Sequence, residues 1–457
     1  MAQRTASQFL GDVWGAVRGR NRAERRAHTR GFDSASGRRF PREARMGRTA
    51  TETIAARAAI TAKSRYYVAN DAHAAAGVAP LVTYGVGTGP IPAHPDAEAF
   101  VNEYWNDCDA DGRLDFGGLM ALAVRAMVID GEAFVILRGD KLQLIAAEQV
   151  DETLTRELGG GAYIAAGIEF DAQGRRVAYW IRPHVPTQQF ETWAPPVRVD
   201  AADVLHLFRP DGIGQVRGIS WLAPILLKLA DLGLLSDALL KGFQVSAMHA
   251  GFLEDATGAS TLPFDGDKDG DALDVSIEPG VVRRLPTGLK FVSHHPQHAQ
   301  QSVEFLTAQI EEVAAGLGVP AFMVSANVNR ANYSSLRAAL ITFKASLEAI
   351  QFNIIVPQLL NPIWKRWALM RSLRGETVAE AMPEWRFPAL PEADPLKMIQ
   401  AVKVALDSKL MSRAEAIAAR GESIERVDAD IAADPHANTE QADEPPADEE
   451  EDDSNAA

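Results

Sequence analysis

An α+β fold is predicted by two patterns and by length. Residues 131–208 break into short runs rich in β-branched and aromatic side chains, EAFVILR, LQLIAAEQV, YIAAGIEF, RVAYWIRP and DVLHLF, separated by Gly, Asp and Pro. Such runs read as strands. On either side of them, apolar residues recur every three to four positions, the period of a helix with one buried face. The chain has 457 residues, 47% hydrophobic and 23% charged, which allows roughly two to four domains and an ample core.

The elements follow in order. From about 50 to 81 the chain is Ala-rich and helix-like. VTYGVGTGPIP, Val82 to Pro92, carries three glycines and two prolines and reads as a loop. Residues 97–130 read as two helical segments with a turn at Asp107–Asp115, and DAQGRR is a hairpin turn between YIAAGIEF and VAYWI. From Ser220 to about Met248 the pattern is helical again, a rod of about 45 Å at 1.5 Å per residue. Residues 251–300 are irregular, with a polar loop, DGDKDGDALD, and strand candidates at VVRRLP and LKFVSHH.

A second helix, about Gln301 to Gly316, carries Val303, Leu306, Ile310, Val313 and Leu317 on one stripe, and Gly316, Gly318 and Pro320 stop it. After the polar SANVNRANYSS a third helix, about Asn332 to Gln358, carries Leu336, Leu340, Phe343, Leu347, Ile350 and Ile354. Pro357 and Pro362 are expected to end or kink it before IWKRW. A shorter helical region spans about 394–420.

Charge is divided unevenly. Residues 1–48 hold twelve Arg, no Lys and four acids, a net +8; residues 428–457 hold twelve acids and no Lys or Arg, a net −12. The whole chain carries −15, so the body between them carries −11. The tail is too poor in apolar residues to offset its conformational entropy by burial, and is expected to be disordered and solubilising. The basic arm suits nucleic acid, an acidic protein surface or plain solvation. No apolar run follows its charges, so it does not read as a secretory signal. No membrane span is expected either: the most apolar long stretch, Trp221 to Leu240, is interrupted by Lys228, Asp231 and Asp237, whereas spanning needs about 20 nearly uninterrupted apolar residues.

Motifs that imitate chemistry fail on their missing members. Asp107, Asp109, Asp111 and Gly112 have the spacing of a calcium loop, as do Asp265, Asp267, Asp269 and Gly270. The twelfth position, which should be a bidentate Glu, is Gly118 in one and Ser276 in the other. His294, His295 and His298 surround Pro296 and read as a turn, and His206 reads as a packed strand histidine. The lone cysteine, Cys108, excludes an intramolecular disulfide and a cysteine-rich zinc module. There is no Walker A order, no G-x-S-x-G elbow, no H-E-x-x-H and no Cys–His nucleophile pair. We therefore expect no enzyme, no catalytic residues, no cofactor and no metal.

The remaining pattern is architectural: two long helices around an irregular insertion, a polar loop, then a third long helix. Narrow apolar stripes need neighbours, which a ring of subunits supplies. RGFDSASGRR, VTYGVGTGPIP, CDADGRLDF, GIEFDAQGRRVAYWI, DVLHLFRPDGIGQVRGISWLAPIL, EPG, GLGVPAFMVSANVNRANYSSLRAAL and PIWKRW occur in that order. Together they resemble the lambda family of portal proteins of tailed bacteriophages. GQVRGISWLAP and NYSSLRAAL are the most distinctive of them.

The resemblance implies a homo-oligomeric ring, usually of twelve copies, at one capsid vertex of the virion, assembled in the host bacterial cytoplasm. Double-stranded DNA passes through its channel during packaging and ejection. The implied partners are the major capsid protein, the terminase large subunit and a head–tail adaptor, with no membrane. It implies a basic arm at 1–48, an α/β wing at 49–215 and a stem helix at 216–250. A small β-containing clip at 251–300 and a second stem helix at 301–320 come after it, then a tunnel loop at 321–334. A long wing helix with a helical crown would occupy 335–427, ahead of the acidic tail at 428–457. Ser325, Asn327, Val328, Asn329, Arg330 and Asn332 would line the DNA channel, and Arg283, Arg284 and Lys290 would bind partners at the clip. An acidic body suits a conduit, because phosphate clamps of Lys and Arg would stop DNA from sliding. Two other readings stay open at this point: a non-channel scaffold that binds nucleic acid through its Arg arm, and a packaging enzyme component, for which no ATP or acidic metal site is found.

Overall fold

A run without Gly or Pro gives the first long helix. The computed structural model describes residues 32–36, 47–183, 195–248, 252–255, 289–292, 299–328, 333–389, 395–420, 422 and 424–434. After a short turn, Asp33–Ser36 (α1), the Ala-rich Thr49–Asn70 (α2) is unbroken for 22 residues. Asp71 then ends it and caps the next helix, Ala72–Val86 (α3), by accepting the N–H of Ala74 at 2.8 Å. There follow Ile91–Ala93 (β1), Ala97–Ala99 (α4) running into a π-helical turn at Phe100–Trp105, and Phe116–Ile129 (α5).

The strands are Glu132–Arg138 (β2), Lys141–Ile145 (β3), Arg156–Gly159 (β4), Ala162–Ala165 (β5), Ile168–Phe170 (β6), Arg176–Ile181 (β7), Val197–Asp200 (β8) and Val204–Phe208 (β9). Next come Leu226–Met248 (α6), Phe252–Asp255 (β10), Leu289–Val292 (β11), Ala299–Leu317 (α7) and Ala321–Ser325 (α8). Tyr333–Ile350 (α9) passes through a π-helical segment, Gln351–Leu360, into Asn361–Leu373 (α10). Glu384–Arg386 (β12), Pro395–Asp407 (α11), Arg413–Ala418 (α12) and Ile424–Ala433 (α13) complete the described chain. The fold is thus a mixture of helix and sheet.

The chain divides into two compact units: 1–81, 123–135 and 145–346 form the first, and 82–122, 136–144 and 347–457 the second. In the first, β4 to β8 form an antiparallel meander in sequence order, and β9 lies beside β2. Ile60, Met127, Phe134, Ile164, Ile168, Leu207 and Leu222 are buried in its core. Helices α6 and α7 pack on one another, and β10 pairs antiparallel with β11, Phe252 opposite Val292.

The second unit is built on aromatic rings. Phe100 lies 5.3 Å from Phe116, Trp364 and Trp367, and Trp385 on β12 lies 6.3 Å from Phe116. The indole of Trp385 donates to Asn361 at 3.0 Å, the partner a buried indole needs. Strand β12 pairs with β1.

Several sequence expectations are corrected. The glycine-rich loop is shorter than predicted, because Val82–Val86 continue α3 and the helix stops only at Gly87. YIAAGIEF is two strands, since Ala166 and Gly167 both take positive φ (49° and 81°), the geometry of a two-residue hairpin turn. The edge strands β4 and β8 were not anticipated. Helix α6 begins at Leu226 rather than Ser220: Ser220 Oγ donates to the Val128 carbonyl at 3.3 Å and accepts from Leu222 N–H at 3.2 Å, which holds this stretch in turns. The acidic tail begins inside a helix, α13, where Asp428 pairs with Arg413 at 2.5 Å.

The largest correction concerns the prolines. Ser334–Leu373 is one helix of 40 residues, and by length and composition it is the one helix among the described residues apolar enough to cross a membrane, in place of the 221–240 stretch. Its stripe, from Phe343 and Leu347 to Leu359, Ile363 and Trp364, is buried in protein. Pro357 falls in the π segment, whose wider i→i+5 turns accommodate a residue without an N–H, and Pro362 sits in the first turn of α10. VVRRLP, the second Asp-rich loop and the His294–His298 cluster lie outside the described residues.

Leu347→Asp puts a carboxylate in this stripe and is expected to lower folding stability by roughly 3 kcal/mol or more. Chemical denaturation with an unchanged midpoint would refute that burial.

Candidate functional site: an anchored helix pair and its loop

Glu132 opens β2 with no exposed surface, so its charge must be matched inside the protein. Arg217 donates to it from Nε at 2.8 Å and from Nη2 at 2.5 Å, Arg57 Nη2 stands 2.8 Å away, and Gly218 N–H donates at 2.8 Å. His206 Nε2 lies 3.0 Å from Oε2, the oxygen that accepts from Gly218. Arg57 is itself paired with Glu152 at 2.8 Å. The rest of the Arg217 guanidinium donates to the carbonyls of Ala166 (2.7 Å), Ala147 (3.0 Å) and Val150 (3.3 Å), which uses all five of its donors.

The backbone permits this closeness only without side chains. A Cβ on Gly218 would stand 2.1 Å from the Gly131 carbonyl, and one on Gly131 would stand 2.3 Å from Ile219. Arg217 and Gly218 belong to the GQVRGISWLAP segment, which leads through Ser220 into α6. The network therefore fixes where the helix pair departs from the sheet.

Charge balance decides the protonation states. Burial alone would raise the Glu132 pKa, but Arg217, Arg57 and His206 hold it well below the usual carboxylate range. For His206 burial dominates and pushes the imidazole down to about 4, against the pull of Glu132. The two arginines already balance Glu132 and Glu152, so a further cation is unfavourable. A neutral ring donating from Nε2 leaves Nδ1 as an acceptor without a partner, and the ring stacks on Phe134 at 4.2 Å and Phe208 at 4.6 Å.

Beyond this anchor the helix pair changes character. Near its base Leu226, Leu229 and Leu232 of α6 and Val313, Ala314 and Leu317 of α7 are buried. Lys228 and Glu312 pair across it. Farther out, Leu234 (69% exposed), Leu240 and Phe243 of α6 and Val303 and Phe305 (55%) of α7 are exposed, on more than one side of each helix.

The predicted channel residues begin where α8 ends. Ala326 turns left-handed, with φ 54°, Asn327 N–H donates to Ser325 Oγ at 3.2 Å, and Val328 is exposed. Asn329, Arg330 and Asn332 lie outside the described residues, as do Arg283 and Arg284. Lys290 stands on β11 opposite Glu254. Asp109, in the first Asp-rich segment, spends its carboxylate on the N–H groups of Asp111, Arg113 and Leu114 at 3.0, 2.8 and 2.9 Å. Burial works against its ionisation, but these donors outweigh it and hold Asp109 below its ordinary value. That segment is a turn. Burial raises the Cys108 thiol to about 12, far from a reactive thiolate. Among the described residues no cluster of His, Cys, Asp or Glu is arranged to hold a metal.

Sequence reasoning missed the Glu132 network. The available signal was a charge opening an otherwise apolar strand and an Arg inside the most distinctive segment.

Comparison with known proteins adds the family. The profile described as phage portal protein, lambda family, matches residues 36–351. A probable portal protein of Halomonas phage phiHAP-1 is 28% identical over 284 residues, 59% of this chain and 54% of that protein. This chain thus spans about half the length of that relative. Among solved structures, a chain from the virion of the native gene transfer agent particle aligns over 79% of this chain and 93% of its own, with 14% identity and a TM-score of 0.46. A HK97 family phage portal protein from Corynebacterium diphtheriae aligns over 70% and 98%, with 15% identity and a TM-score of 0.33. The chain belongs to the lambda family of phage portal proteins.

The network sets an acid limit. The neutral His206 contributes stability that is complete above its unfolded pKa near 6.5 and is lost as pH falls toward 4. Glu132, held low, adds a further loss below its unfolded pKa of about 4.3. Thermal melts are expected to show about 2 kcal/mol lost between pH 6.5 and 5, with His206→Gln flattening that interval. Glu132→Ala, which strands two buried guanidiniums, is expected to cost roughly 3–5 kcal/mol.

Proposed function

We propose that this chain is the repeating subunit of a portal ring through which double-stranded DNA enters and leaves a phage capsid. The observation that carries the reading is the helix pair α6–α7, anchored by buried charges at its base and apolar on its exposed outer half. A single chain leaves Leu234, Leu240, Phe243, Val303 and Phe305 in water; copies arranged in a closed ring cover them against one another. Family membership supports the same reading.

In this reading 49–215 is the wing, 216–250 and 301–320 the stem, and 251–300 the clip, whose Arg283, Arg284 and Lys290 meet terminase and the head–tail adaptor. Segment 321–334 is the tunnel loop, and 335–427 forms the long helix and crown. The ring holds twelve copies, stands at one capsid vertex of the virion against the major capsid protein and is assembled in the host cytoplasm. Asn327, Asn329 and Asn332 offer weak, replaceable hydrogen bonds to a moving duplex, and Arg330 is the loop's one cation. The subunit works as a structural conduit rather than as an enzyme.

Negative-stain images of the purified protein are expected to show rings with a central hole, and monomers throughout would overturn the proposal. Leu234→Glu, placed on an exposed position, is expected to yield folded monomers on a sizing column with the helical signal intact; undiminished rings would sink the stem assignment. Arg330→Ala is expected to leave rings intact and alter DNA packaging or retention, so that unchanged packaged length and infectivity would remove Arg330 from the channel.

A further inference from the structure

We infer that the groove between α2 and α6 is a docking site for the chain's own N-terminal segment, residues 9–17. The groove is about 460 Å³ and is lined by Ser34, Ala62, Lys63, Tyr66, Tyr67, Leu226, Leu227 and Ala230. That is the size of an ordinary small-ligand site, and its walls are mainly apolar. Tyr66 is 62% exposed there, and its ring stands edge-on to Tyr67 at 5.5 Å. Two of its four polar side chains are already engaged: Ser34 Oγ donates to the Ala223 carbonyl and Lys63 Nζ to the Ser34 carbonyl.

These same bonds say what lies nearby. They pin α1 to α2 and to the turn that leads into α6, so everything N-terminal to residue 32 leaves the described chain at the groove. Within that stretch, Phe9, Val13 and Val17 recur every fourth residue, as do Leu10 and Trp14. At helical spacing this is one apolar face, the form in which a segment fills an apolar groove. Arg18, Arg20 and Arg22 come directly after it. Asp231 follows the groove-lining Ala230 on α6, and Asp71 ends α2 one turn after the groove-lining Tyr67, so acidic residues stand next to the lining positions in sequence as partners for those arginines. The fourteen residues from 18 to 31 span at most about 46 Å. Such a tether holds the segment at millimolar effective concentration, which favours the chain's own groove over that of a separate molecule.

Engineered cysteines test this in the full-length protein with Cys108→Ser. Val13→Cys paired with Ala62→Cys, on the exposed groove wall, is expected to form a disulfide under mild oxidation. Mixing isotopically labelled and unlabelled chains before oxidation assigns the bridge, which is expected within one chain. Glu157→Cys, exposed on β4, replaces Ala62→Cys as the control and is expected to bridge far less. Equal bridging to the control, no bridge, or bridges only between labelled and unlabelled chains would each overturn docking in the own groove. Tryptic cleavage after Arg18 and Arg20 gives an independent readout. Ala62→Glu and Trp14→Ala are each expected to speed it about tenfold by raising the undocked population, and rates equal to the parent would also overturn the inference.

Discussion

Everything in the first unit depends on keeping one carboxylate ionised in a place without water. Glu132 is tolerable there because Arg57 and Arg217 face it, and Arg217 in turn is tolerable because three carbonyls take its other hydrogens. Those carbonyls come from 147–150 and from the β5–β6 turn, Glu132 from β2 and His206 from β9. One guanidinium therefore ties together pieces up to 85 residues apart in sequence. A buried ion pair of this kind is weak as a source of stability but strict about geometry, because a single lost partner leaves a bare charge behind.

That strictness suits the helices that come next in the chain. Arg217 precedes the turns from which α6 departs, and α6, with 23 residues, is the longest helix lying wholly in this unit among the described residues. In the proposed ring, a helix pair with exposed apolar residues on its outer half would have to be aimed well, since a small error in direction accumulates around a circle. A rigid base and a sticky shaft are complementary requirements, and here they are adjacent in sequence. The net acidic body is compatible with the proposed conduit, in which tight cationic clamps on phosphate would hinder sliding.

Much of this was legible in the residues. The alternation of strand runs in 131–208, the stripes of α7 and α9 and the hairpin at Asp171 all arise from local periodicity and turn chemistry. What escaped was decided by tertiary partners. No local signal at Ser220 says that its hydroxyl will bond to Val128 and delay a helix. Nor does anything at Ala166 show that a small non-glycine residue will adopt positive φ, because the compensation is the Arg217 bond to its carbonyl. Glu132, His206 and Arg217 were visible singly as a strand charge, a packed histidine and a motif arginine, but their meeting is a property of the fold. Which residues of the helix pair stay exposed was hidden for the opposite reason: a stripe looks the same whether its partner lies in the same chain or another.

The π segment at 351–360 has a consequence of phase. A strictly α-helical rod advances about 100° per residue, so one residue's worth of extra winding turns everything downstream by that angle relative to the part before it. Upstream, Phe343 and Leu347 point inward; across the segment the inward positions pass through Gln351, Ile355 and Leu359, while Ile350 and Ile354, which the straight stripe would have used, are only half-buried. Gln351 uses its place to bond the carbonyls of Tyr84 and Gly85 at the end of α3. Downstream, Trp364 and Trp367 arrive facing Phe100. The prolines that look like stop signals thus mark where a single long helix changes which of its faces is buried.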